Sequence, residues 1–239
     1  MTTTPPPDLG AQLLRALESI GPRPVLAWYG EAARIELSGH VLANWVIKSI
    51  GHLHDEIDLA PADQVILDLP PHWKRLALAL ACWSLGAEVT VAERAESTGD
   101  LLGELPHAPR AVLTDRPDSP LAETADEVLA LEAVSLAPRY SGELPPLVHD
   151  WLAEVRGSSD RLGVALPAWS GPAAQESTTA EDDGSAPAPD APPRQLVEGD
   201  GLRSLPQVLA ALLAGGGIVG PAGTLTARQE QDEAVTGRA

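Results

Sequence analysis

Asp68 and His72 stand four residues apart, and two more carboxylates, Glu93 and Asp115, are each followed by an arginine. A histidine with two or three carboxylates can hold a metal ion or work as an acid–base pair. These four are the candidate ligand-binding residues. Their spacing fits no metal-ligand motif, and the plainer reading is charge at helix starts and loop solvation. No catalytic residue and no metal site is therefore assigned. His52-Leu53-His54-Asp55 closes a helical pattern, where histidine favours the helix dipole. We read it as a solvated helix end rather than a metal site. Gly215-Gly216-Gly217 has no strand before it and no helix after it, so it ends a helix rather than cradling phosphate. The sequence contains neither a Gly-x-Ser-x-Gly elbow nor a His-Glu-x-x-His helix. The lone cysteine, Cys82, lies in an apolar run and is expected to be a buried structural thiol.

The elements that must position these groups follow from apolar spacing. Leu13, Leu14, Leu17 and Ile20 mark a helix over 9–20, ended by Gly21-Pro22. Residues 25–29 and 34–37 read as a β-hairpin. Ser38 is a helix N-cap, and Leu42, Trp45, Val46, Ile50 and Leu53 share the face of the helix it starts. Residues 64–69 form a continuous apolar strand interrupted only by Asp68. Pro70-Pro71 is expected to start the next helix, which runs to residue 85 and is apolar nearly all round. Gly86 caps it, and 88–91 is a strand. Beyond lie a helix over 101–105, a strand over 111–114, a helix over 121–125, a strand over 128–131, a helix over 147–155 and a strand over 161–166. Strands alternating with helices predict an α/β fold, a mainly parallel sheet with helices on both faces. In such a sheet ligands bind beyond the carboxyl ends of strands, which is where Asp68, His72, Glu93 and Asp115 fall. Trp45, Trp73 and Trp83 are expected in the core.

Composition sets the boundaries. The 239 residues include no Phe, six Trp and only two lysines, Lys48 and Lys74. The charge is 16 − 34 = −18. Such a chain repels phosphate backbones and anionic lipid, so neither nucleic acid nor membrane is an expected partner. No signal segment and no apolar run long enough to span a bilayer is read, which predicts a cytoplasmic protein. The expected organisation is a disordered tail over 1–8, an α/β domain over 9–169 and a disordered acidic linker over 170–195. A helix–strand segment over 196–225 then packs back on the domain, and 226–239 is a loose tail. The linker's Ala, Pro, Ser, Asp and Glu bury too little apolar surface to offset their ordering entropy.

Several stretches carry a resemblance. Ile35-Glu36-Leu37-Ser38, Leu59-Ala60-Pro61-Ala62-Asp63-Gln64-Val65, Leu67-Asp68-Leu69-Pro70 and Trp83-Ser84-Leu85-Gly86-Ala87 occur in that order. Together with the tail Asp200–Gly220, whose run Leu209–Gly217 looks like a later helix-Gly-strand, they resemble the opening domain of the adenylate-forming, AMP-binding superfamily, which includes acyl-CoA synthetases. The chain also resembles short actinobacterial proteins assigned to that superfamily. The resemblance implies a truncated member with the N-terminal subdomain fold. It further implies a Ser/Thr/Gly-rich phosphate loop ending in Pro-Lys after the strand at 161–166. This sequence instead reads Pro167-Ala168-Trp169-Ser170-Gly171-Pro172, with no lysine anywhere beyond. The superfamily's Mg-site motifs and C-terminal catalytic lysine have no counterpart. A pseudoenzyme is therefore expected, with a binding, regulatory or scaffold role. No cofactor is expected, and ATP or AMP binding is doubtful. The expected partners are another protein subunit or an acyl or nucleotide small molecule. The alternative is an acyl-binding part completed by a partner subunit, suggested by the apolar helix over 73–85.

Overall fold

The computed structural model describes residues 4–30, 33–92, 98–132, 136–175 and 192–239. The chain divides into two units. The first comprises 1–6, 11–43 and 172–239, and the second 7–10 and 44–171. The expected continuous domain over 9–169 is thus split, because the C-terminal third supplies strands to the sheet that the N-terminal hairpin begins.

Helix α1 (Leu9–Ile20) buries the predicted stripe Leu13, Leu14, Leu17 and Ile20, together with Leu9. Gly21 ends it at φ +68° and donates its N–H to the Leu17 carbonyl at 3.2 Å. Strands β1 (Pro24–Gly30) and β2 (Ala33–Ser38) pair antiparallel, as the hairpin pattern requires. The Ser38 hydroxyl accepts the Val41 N–H at 3.3 Å, capping α2 (Gly39–Asp55).

In the second unit, β3 (Gln64–Asp68) is buried at every residue. Helix α3 (Trp73–Ser84) is likewise buried throughout. It starts three residues later than Pro70-Pro71 predicts, because extended His72 supplies the cap, its ring accepting the Lys74 N–H. Cys82 is buried as expected, and burial pushes its thiol up to about 12. There follow β4 (Glu88–Val91), α4 (Thr98–Glu104), β5 (Ala111–Thr114) and β6 (Glu127–Ala130). The expected helix over 121–125 is a single 3-10 turn at Ala122–Thr124. In place of the expected helix over 147–155 stand the strand β7 (His149–Asp150) and the short helix α5 (Trp151–Glu154). Leu147 has φ +68°, which no helix continues through, and the Asp150 carboxylate caps α5 by accepting the Ala153 N–H at 3.2 Å. Residues 161–166 form no strand. The sheet is parallel throughout, in the order β4-β3-β5-β6-β7. Trp45 stacks edge-on to Trp73 at 5.3 Å and lies 5.8 Å from Trp151. Trp73 and Trp83 are core residues as expected, while Trp45 is half-buried.

The chain returns to the first unit through β8 (Arg194–Leu196), α6 (Leu205–Leu213), β9 (Gly217–Gly220), α7 (Ala227–Asp232) and β10 (Gly237–Arg238). Gly215, at φ +77°, ends α6 as expected. Gly217 is needed for a different reason: a Cβ there would lie 2.5 Å from the Val25 carbonyl oxygen. The sheet order is β10-β8-β9-β1-β2, parallel except for the hairpin. Ala27, Leu196 and Val219 form its packed cluster, covered by Tyr29, Ala222, Leu225 and Val235. The α/β class thus holds, with two parallel-dominated sheets in place of one. The loose tail over 226–239 is corrected to a helix and a strand, and Thr226 with Gln229 forms a full capping box. Both ends of the expected linker over 170–195 are bonded into the fold. Gln175 donates its N–H to the Pro206 carbonyl at 2.8 Å and β8 begins at Arg194, while 176–191 fall outside the described residues.

Candidate functional site at the carboxyl end of the second sheet

Strand β3 is followed by β4 on one side and then by β5 on the other. The connections therefore diverge beyond the carboxyl ends of β3 and β5, the crevice where ligands enter open α/β sheets. The two residues closing those strands, Asp68 and Thr114, are register partners.

Asp68 is 1% exposed, and both its oxygens are engaged. Oδ2 accepts from the Thr114 hydroxyl at 2.7 Å, and Oδ1 accepts from Arg116 Nη2 at 2.6 Å. The Arg116 backbone N–H donates back to Thr114 Oγ1 at 2.9 Å, closing a small ring of bonds. The Arg116 side chain is 45% exposed, so this guanidinium bridges the buried carboxylate and solvent. Asp115 is half-buried, and its carbonyl accepts from the Tyr140 hydroxyl at 3.2 Å. Burial, and then the charges of Asp118, Glu132 and Asp115, push the Tyr140 phenol up.

His72 is 5% exposed, and its Nδ1 accepts the Lys74 N–H at 3.2 Å. Burial, with the Lys74 charge, pushes this imidazole down to about 3, so it is neutral at physiological pH. Lys74 is also buried, and its Nζ donates to the Glu132 carbonyl at 2.8 Å.

Of the four predicted residues, Asp68 and Asp115 stand at the crevice, and His72 is committed to capping α3. Glu93 lies outside the described residues. Asp68, His72 and Asp115 do not converge as ligands for an ion. Among the described residues the group able to do so is His52, His149 and Glu154. His52 is 1% exposed, which corrects the reading of 52–55 as a solvated helix end, while neighbouring His54 is half exposed. Sequence reasoning missed His149 and Glu154 because they meet His52 only through the fold, Glu154 from 102 residues away.

The segment where the phosphate loop was expected is spent on the protein's own backbone. The Trp169 N–H donates to the Pro7 carbonyl at 2.9 Å, and its ring lies 5.9 Å from that of Trp83. The Ser170 hydroxyl donates to the Ala87 carbonyl at 2.6 Å, and its N–H donates to the Trp83 carbonyl at 3.3 Å. A Cβ on Gly171 would meet the Trp83 and Trp169 rings at 2.6–2.8 Å, so this glycine serves ring packing.

No protein-family model matches the chain. A TIGR03089 family protein of Mycobacterium tuberculosis is 36% identical over 171 residues, covering 67% of this chain and 64% of that relative. The chain thus spans less than two-thirds of the relative's length. Among solved structures, an acyl-CoA synthetase of Brucella canis superposes with a TM-score of 0.66 at 17% identity, over 95% of this chain and 46% of that one. The N-terminal domain of FACL13 from Mycobacterium tuberculosis gives a TM-score of 0.64 at 13% identity, over all of this chain and 63% of that one. The N-terminal subdomain of Klebsiella oxytoca NpsA gives 0.60 at 14% identity, over 96% of this chain and 58% of that one. No described helix is long and apolar enough to cross a membrane. The expected resemblance is met at the level of architecture: the chain has the fold of the N-terminal region of acyl-CoA synthetase-like, adenylate-forming enzymes.

Proposed function

We propose that the chain is a non-catalytic binding protein on the adenylate-forming fold, with a regulatory or scaffold role. The observation that carries this reading is the engagement of Ser170. In a phosphate loop, amides and hydroxyls point at the ligand and a lysine offsets its charge. Here the Ser170 hydroxyl and N–H are both donated to the protein's own carbonyls, and no lysine follows. The chain's excess of carboxylates adds long-range repulsion toward a triphosphate. The reading of an acyl-binding half-enzyme rested on the apolar surface of α3, and every residue of that helix is already buried.

ATP–pyrophosphate exchange tests the proposal. The purified chain, offered ATP, magnesium and a panel of short, long and aromatic carboxylic acids, should exchange no label above the protein-free blank. ATP and AMP should leave its melting temperature unchanged. Exchange that depends on both the chain and a carboxylic acid would overturn the reading.

A further inference from the structure

The geometry points to a transition-metal site of the zinc type, held by His52, His149 and Glu154. His52 comes from the last turn of α2, His149 from β7 and Glu154 from the end of α5. Glu154 Oε2 lies 2.9 Å from His52 Nε2 and 2.8 Å from His149 Nδ1. All three ligand atoms fall within 4.8 Å of one another. A tetrahedral ion bonded at about 2.1 Å sets its ligands roughly 3.4 Å apart, so each histidine–glutamate separation need open by only about half an ångström to admit one.

Without an ion the His52 Nε2–H donates to Glu154 Oε2, so binding a metal moves that proton to Nδ1, which is buried with no hydrogen-bond partner. Two further features favour a cation here. His149 is held from behind: its Nε2 lies 3.4 Å from Glu127 Oε2, the outer carboxylate that commonly orients a metal-binding imidazole. A cavity of about 620 Å³ opens on the group, with Asp55 and Glu56 also in its wall. The ligand set then selects the ion. Two imidazoles and one carboxylate suit zinc and its neighbours, whereas calcium and magnesium need oxygen donors. Three protein ligands leave a fourth position toward the cavity for water or for an oxygen of a small ligand.

The test is equilibrium dialysis of the untagged full chain against Zn²⁺ alone near neutral pH, with Co²⁺ absorption as a second readout. We expect one saturable site per chain, with no competition from excess Mg²⁺. His149→Ala and Glu154→Gln should each weaken it at least about tenfold, and Glu127→Gln by about tenfold through loss of the outer partner. His54→Ala should leave it unchanged. Circular dichroism checks folding. Should His149→Ala unfold, Glu154→Gln, which keeps the side chain's size, decides alone. Absence of saturable binding, or binding that survives Glu154→Gln or is lost in His54→Ala, would overturn the site.

Discussion

His72 couples the start of a helix to pH. Its Nδ1 must offer a lone pair to the Lys74 N–H, and protonation removes that acceptor while placing a charge in a buried position beside Lys74. An unfolded histidine titrates near about 6.5, whereas this one is pushed down to about 3. The unfolded chain therefore binds a proton first as pH falls. The contribution to stability is complete above the unfolded value and is lost progressively from there toward the folded one, at about 1.4 kcal/mol per pH unit. In His72→Asn, which keeps an acceptor without a titrating ring, urea unfolding between pH 6.5 and 5 should lose about 2 kcal/mol less than in the wild type. Parallel pH curves for the two proteins would show that the imidazole is not held neutral. His72 and Asp68 were legible as residues near a sheet end, because the apolar run before Asp68 marks a strand. Their engagement was not legible. Asp68 is bound by Thr114 and Arg116, 46 and 48 residues away, and no local pattern encodes that pairing.

The last elements of the chain show where element-level reading fell short. Thr226-Ala227-Arg228-Gln229 carries the Ser/Thr-x-x-Glu/Gln signature of a capping box, yet the polar composition around it suggested a loose tail. The helix it starts delivers Glu233, 7% exposed, to three donors. Arg34 Nε donates at 2.6 Å, Arg194 Nη2 at 2.6 Å and the Tyr29 hydroxyl at 2.7 Å. Burial pushes this carboxyl up, but the three hydrogen bonds outweigh it and hold it down at about 2. Its contribution to stability is thus present above an ordinary glutamate's pKa of about 4.3 and is lost as pH falls below that value. Arg34 is 38% exposed, so solvent screens its share, whereas Arg194 is 16% exposed. Glu233→Gln should cost about 2–3 kcal/mol at neutral pH by urea unfolding, because it leaves two guanidinium groups facing a neutral amide. A loss under about 0.5 kcal/mol, the size of an ordinary surface change, would mean that the cluster holds nothing together.

At the scale of the whole molecule, the sequence favours one continuous domain because strands and helices alternate without a break up to residue 169. The sheet order β10-β8-β9-β1-β2 interleaves the two ends of the chain instead. Strand β1 is a short apolar run whose periodicity says that it is covered and nothing about which distant strand lies beside it. Its parallel partner is β9, with Leu26 opposite Ile218 and Ala27 opposite Val219. Parallel pairing needs a long connection, and here that connection is an entire second unit. A chain ended after Gly171 separates the two sheets experimentally. It keeps all five strands of the second sheet but strips β8, β9 and β10 from the first, leaving the β1–β2 hairpin alone. Two strands are marginal in water, and this pair would expose the side chains of Val25, Leu26 and Trp28, which the full chain buries on both faces of the strand. Hydrogen exchange followed by mass spectrometry should therefore find residues 25–28 exchanging close to the unfolded rate in the shortened chain. Residues 65–67 and 112–113, at the centre of the second sheet, should remain protected. Protection of 25–28 at the full-length level would mean that β1 does not depend on β9. Loss of protection at 65–67 would mean that the second unit cannot stand without the strands that follow residue 171.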